Sequence, residues 1–80
     1  MPEITIKYFA ALREQAGCSE ERRQTAVASA AELYRELQAE YGLSLDIQHL
    51  KVAINNQYCP LTQPLQNGDT VVFIPPVAGG

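Results

Sequence analysis

The chain has 80 residues, nine Asp and Glu against six Lys and Arg, and a net charge of −3. So short a chain makes one small domain, without room for a deep catalytic cavity walled by its own side chains. Its acidic balance, with no basic run beyond Arg22-Arg23, argues against nucleic acid, and no apolar stretch approaches a membrane span.

Residues 3–8 alternate, with Ile4, Ile6 and Tyr8 on one side and Glu3, Thr5 and Lys7 on the other. This period of two predicts a half-buried strand. The period then changes: Phe9, Leu12 and Ala16 fall at i, i+3 and i+7, and Gly17 follows, which predicts a helix of about two turns. A weaker strand is expected over residues 22–27, where Arg22-Arg23-Gln24 adds little apolar pattern.

Ser29 followed by Glu32 has the form of a capping box, in which each side chain satisfies a backbone N–H of the other. Ala30, Leu33, Leu37 and Tyr41 then form one stripe at helical spacing, with Tyr34 beside it. Glu32, Arg35, Glu36 and Gln38 take the wetter side, and Gly42 ends the helix. This stripe reads as core and carries no chemistry.

Residues 43–50 are irregular, with room for one helical turn. Lys51 to Asn55 is a short strand, Asn55-Asn56 a turn, and Gln57-Tyr58-Cys59 a returning edge strand that ends at Pro60. Asn67-Gly68 centres a second turn, and Thr70 to Ile74 is the last strand. The order fits a two-layer roll with one main helix packed across a mixed sheet. The first and last strands should be parallel neighbours at its centre. Val71 and Phe73 point one way and Val72 and Ile74 the other, so the last strand is apolar on both faces. The main helix can cover only one of them. Apolar surface near Ile74 therefore stays open for a partner, or else the short helix and loops cover it.

Beyond residues 1–74 runs a tail, Pro75-Pro76-Val77-Ala78-Gly79-Gly80. Neither proline can donate to a sheet ladder, and consecutive prolines favour a polyproline II stalk. At roughly 3.1 Å per residue, six residues reach about 19 Å. Gly79 and Gly80 have no Cβ, so a narrow tunnel can admit them. An ionised carboxylate is a poor electrophile and must be activated by a separate enzyme, for example as an acyl-adenylate. A sulfur donor could then convert the adenylate into a thiocarboxylate. The tail suits a protein that serves as a handle for one reactive atom.

No leader-like basic and apolar region opens the chain, which reads as cytosolic, with Cys18 and Cys59 as free thiols. No Cys/His spacing suggests zinc and no glycine-rich loop suggests a phosphate, so neither a metal nor a bound cofactor is expected. His49, the only histidine, builds no catalytic set by itself. Cys59 could relay sulfur, but a small buried hydrophobe is the plainer reading, and Cys18 is assigned no role.

The ending Gly68-Asp69-Thr70-Val71-Val72-Phe73-Ile74-Pro75-Pro76-Val77-Ala78-Gly79-Gly80 resembles that of the molybdopterin synthase small subunit family. Tyr8 to Gly17 resembles the family's Phe-Ala-x-x-Arg-Glu-x-x-Gly segment, and Val52-Ala53-Ile54-Asn55 its Val-Ala-x-Asn. The resemblance implies an α+β, ubiquitin-like β-grasp fold. It also implies that Gly80 is adenylated by an E1-like activating enzyme using ATP, converted to a thiocarboxylate, and inserted into the large synthase subunit. There its sulfur would go to the cyclic pyranopterin precursor within a heterotetramer. Phe9, Arg13, Tyr58 and Ile74 match positions where the family contacts its partners. Tyr58 stands in place of an aliphatic residue and Ile74 in place of an aromatic one. The alternatives are a sulfur carrier for thiamine synthesis, which also ends in Gly-Gly, and a ubiquitin-like modifier or plain interaction module.

Overall fold

The structure is a computed structural model and describes residues 2–76. The tail residues Val77, Ala78, Gly79 and Gly80 lie outside the described residues. Five strands, β1 (Glu3–Tyr8), β2 (Glu20–Gln24), β3 (Lys51–Ile54), β4 (Gln57–Cys59) and β5 (Thr70–Ile74), form one sheet in the order β2-β1-β5-β3-β4. Two helices, α1 (Ala10–Ala16) and α2 (Ala30–Tyr41), and one 3-10 turn (Ile47–His49) complete it. β1 and β5 are parallel, and the other three pairings are antiparallel. This is the mixed-sheet roll the sequence predicts, with β5 at its centre.

Period-two alternation makes the core. Ile4, Ile6 and Tyr8 of β1, Val71 and Phe73 of β5, and Val52 and Ile54 of β3 are buried on one face. Against them α2 sets Ala30, Leu33, Tyr34 and Leu37, all without exposed surface. Tyr34 and Phe73 meet with ring centroids 5.3 Å apart. The Tyr34 hydroxyl donates to the carbonyl of Leu45 at 2.8 Å, so the ring's polar end is satisfied at the core margin.

The ends of α2 are held as the sequence suggests, with one difference. Ser29 Oγ accepts from the N–H of Glu32 at 3.3 Å, but the Glu32 carboxylate accepts from the N–H of Ala28 rather than that of Ser29. The loop before β5 supplies the rest: Ala30 N–H donates to Gln63 O and Ala31 N–H to Leu61 O. The first orphan donors of the helix therefore tie it to a segment thirty residues away.

The second strand is displaced from its expected span. β2 runs Glu20–Gln24 and not 22–27. Gly17, at φ 81, reverses the chain directly after α1, so pairing with β1 begins at once, with Tyr8 N–H donating to Ser19 O. The chain leaves the ladder at the buried Thr25, whose hydroxyl donates to Glu36 at 3.2 Å. The inward positions of β2 are Glu21 and Arg23, opposite Ile6 and Ile4, which is why no apolar alternation marked the strand.

These two residues build a polar clasp between β2 and α2. Arg23 donates to both carboxylate oxygens of Glu40 at 2.8 Å each, and forms longer ion pairs with Glu21 and Glu36 at 3.3 Å. Its guanidinium lies 5.7 Å from the centre of the Tyr41 ring. Glu21 accepts from the hydroxyls of both Tyr8 and Tyr41. Glu36, expected on the wet side of the helix, thus belongs to the seam.

Candidate functional site: the open sheet face and the tail root

The residues that alternate with the core form the opposite face. Register places Lys7, Val72, Ala53 and Tyr58 in one row across four strands, with Lys51 paired to Ile74 beside it. No described element covers this face. Tyr58 is 75% exposed, Lys7 and Lys51 are exposed, and Val72 and Ile74 are half-buried. Of the two expectations for this surface, the open one holds, because α1 sends its buried Leu12 into the core cluster. α1 is also tied to the loop after α2 through Gln15 Nε2, which donates to Ser44 Oγ at 2.8 Å.

Phe9 joins this face by backbone geometry. It continues β1 in extended conformation (φ −121, ψ 150), one residue beyond the Tyr8–Phe73 pair. Alternation therefore sets it on the side of Ile74. At Ala10 the chain turns sharply with φ 51, a left-handed conformation uncommon for a residue with a Cβ. That turn starts α1 and leaves Phe9 outside the core at 50% exposure. The i, i+3, i+7 stripe thus divides, with Leu12 buried, Ala16 partly buried and Phe9 outward. Arg13 is exposed on α1 and forms no ion pair among the described residues.

The tail begins here. Beyond Ile74 the ladder must stop, since Pro75 and Pro76 have no N–H to give. Pro75 is half-buried and Pro76 exposed. The tail root thus emerges from the central strand, between the end of β1 with Phe9 and the start of β3 with Lys51. Its anchorage comes from the other end of β5. Asn55, in a two-residue hairpin with Asn56 (φ 53 and 70), accepts from Thr70 N–H at 3.0 Å and donates to Asp69 at 2.9 Å. Gly68, at φ 89, makes the tight turn that feeds β5, and its N–H donates to Glu3 O.

At the β3–β4 edge of the sheet lies a largely apolar groove of about 610 Å³, bordered by Leu50, Lys51, Val52, Tyr58, Cys59, Pro60 and Leu61, of which Leu50 and Val52 belong to the core. Cys59 is half-buried and packs against the core, as a small hydrophobe does. Burial, with the charge of Glu21 in support, pushes the Cys18 thiol up, so it stays protonated at neutral pH. Among the described residues no group of three or more His, Cys, Asp or Glu is placed to hold a metal. No described helix is long and apolar enough to cross a membrane. The described body offers a binding surface; the reactive position expected from the sequence, Gly80, lies outside it. Sequence reasoning marked Phe9, Arg13, Tyr58 and Ile74 but missed Lys7, Lys51, Val72 and Ala53. The period of two gave their side, and only the strand order could gather them.

A small roll with one open sheet face and a proline-stiffened exit from its central strand defines a carrier-like ubiquitin fold. The model of the ThiS family matches residues 6–80, and the chain belongs to that family. It is 37% identical to the molybdopterin synthase sulfur carrier subunit of Haemophilus influenzae, over 96% of this chain and 99% of that one. Among solved structures it resembles a chain in the protein–protein complex of subunits 1 and 2 of molybdopterin-converting factor from Helicobacter pylori. That likeness has a TM-score of 0.68 and 25% identity, and covers 98% of this chain and 99% of that one. The small archaeal modifier protein 1 of Haloferax volcanii shares the fold, with a TM-score of 0.80 at 23% identity over 96% of this chain and all of that one.

Proposed function

We propose that this protein is the sulfur carrier subunit of a molybdopterin synthase, with Gly80 as the reactive position. The observation that carries the reading is the end-to-end likeness to a curated sulfur carrier subunit, together with the Pro-Pro-x-x-Gly-Gly tail. An E1-like activating enzyme joins the Gly80 carboxylate to the AMP portion of ATP and releases pyrophosphate. A sulfur donor at the oxidation level of sulfide displaces AMP and leaves a thiocarboxylate. If the donor is a persulfide, a thiol supplies the two electrons. The tail, from Pro75 through Gly79, then enters the large subunit. The thiocarboxylate sulfur bonds to a carbon of the cyclic pyranopterin precursor, and water cleaves the resulting acyl–sulfur bond. Gly80 returns as a carboxylate, and each cycle delivers one sulfur of the dithiolene. The chain itself is not catalytic and binds no cofactor; ATP is consumed by the activating enzyme. Phe9, Arg13, Tyr58 and Ile74 contribute to the partner face, in a heterotetramer of two small and two large subunits in the cytoplasm.

The test is intact-mass and fragment mass spectrometry after incubation with ATP, a sulfur source and the activating enzyme. One oxygen of Gly80 is expected to be exchanged for sulfur. Alkylation of the new sulfur distinguishes it from oxidation of Met1. An unmodified terminus in the presence of a competent activating enzyme would overturn the reading. Recovery of Gly80 in an isopeptide bond to a lysine would replace it with conjugation.

A further inference from the structure

The chain is acidic overall, yet its charges are sorted by side. Register puts Lys7, Arg22 and Lys51 on the open sheet face, against the two carboxylates Glu3 and Glu20. The α2 side holds Glu21, Glu32, Glu36 and Glu40 against Arg23 and Arg35. Among the described residues every ion pair converges on Arg23. Lys7 and Lys51 form none, and Lys7 does so even with Glu20 directly opposite it in the ladder. A protein of net charge −3 therefore sets two of its unpaired cations, Lys7 and Lys51, beside the exposed Tyr58 and the half-buried Val72 and Ile74.

The two lysines also bracket that apolar surface. Lys7 ends the row Val72–Ala53–Tyr58 on one side. Lys51 stands at the tail root opposite Ile74 and is among the residues that border the groove. An uncharged apolar partner would desolvate both ammonium groups without return. A surface with carboxylates at the same two places would pair them and fix the register of docking.

We propose that the partner surface seated on this face is an apolar patch bordered by carboxylates, one meeting Lys7 and one meeting Lys51 at the mouth of the groove. The occupant is the large synthase subunit, so the inference rests on the function proposed above. Its apolar side chains lie over Val72, Ala53 and Ile74, and its acidic rim sets orientation before the tail is inserted. Association is then faster at low ionic strength than the apolar contact alone would allow.

The experiment titrates the large subunit encoded by the same genome with wild type, Lys7→Glu, Lys51→Glu, Lys7→Gln, Lys51→Gln and Arg35→Glu, at low and high salt. Each Glu variant is expected to raise the Kd about tenfold at low salt. Each Gln variant should flatten the salt dependence, and Arg35→Glu on α2 should change neither. Thermal melts report whether each variant is folded, and the Gln variants decide if a Glu variant is not. A wild-type complex whose Kd and salt dependence ignore all four lysine substitutions would overturn this inference alone. Failure of wild type to bind at all would overturn the synthase reading and this inference with it.

Discussion

The two faces of the sheet are built from the same strands, and often from adjacent residues, yet they serve different ends. On the inner face Ile4, Ile6, Val71 and Phe73 are fully buried under α2 and hold the fold together. On the outer face Lys7, Val72, Ile74 and Tyr58 remain accessible and contribute little to it. Small domains have little stability to spare. Separating the two duties by parity along the strand lets the binding face carry apolar and charged groups without disturbing the core. Substitutions on the two faces should therefore separate stability from partner affinity.

The sharpest contrast comes from the inner face. Phe73→Ala empties the site against Tyr34 and should cost about 3–5 kcal/mol, enough to leave much of the chain unfolded in urea titration. A loss under about 1 kcal/mol would break the comparison. Arg23→Ala, at the seam, removes the partner of Glu21 and Glu36 and should cost about 2 kcal/mol. Denaturant midpoints of Arg23→Ala and Arg23→Lys measure it, and Lys should recover only part, since it cannot pair in bidentate fashion with Glu40.

The seam also predicts a pH dependence. Burial, with the hydrogen bond to Glu21, pushes the Tyr41 hydroxyl up to about 12 and moves that of Tyr8 in the same direction. The folded chain keeps these protons after the unfolded chain releases them. The effect of both is thus whole below about pH 10; that of Tyr41 is lost as pH rises through about 12, while Tyr8, raised further, keeps its proton to higher pH. At the acid end, the hydrogen bonds from Arg23 hold the Glu40 carboxyl below its ordinary value. That contribution is present above the unfolded carboxylate range and fades as pH falls through the folded value. Urea midpoints should decline between pH 10 and 12, and Tyr41→Phe should flatten the decline. A wild-type midpoint unchanged across that window would refute the assignment.

Ser29→Ala removes the acceptor for Glu32 N–H and should cost about 1 kcal/mol. Least of all for stability, Phe9→Ala and Tyr58→Ala should shift the midpoint by no more than about 0.5 kcal/mol. The same two variants should weaken binding to the large subunit by about tenfold or more. Equal losses of stability and affinity would show that the outer face is part of the fold after all.

Much of this architecture was legible from local pattern. Alternation in residues 3–8, the Ser29 cap, the stripe from Ala30 to Tyr41, and the turns at Asn55-Asn56 and Asn67-Gly68 each follow from interactions within a few residues. The β2 span was not, because Glu21 and Arg23 point inward and owe their places to tyrosines and glutamates far along the chain. Nor could periodicity alone tell whether Phe9 faced the core, since the turn at Ala10 decides it.

The sequence by itself determined the elements, their order, the parity of each strand and the family to which the chain is similar, because these depend on short-range patterning and on motifs read in a line. The tertiary structure alone decided which outward residues become neighbours. Lys7, Val72, Ala53 and Tyr58 are scattered from position 7 to position 72, and they form one row only because β5 inserts between β1 and β3. Hydrogen-bond register is a long-range choice, fixed by burying Phe73 and Val71 beneath α2, and the outer face inherits its arrangement from that burial.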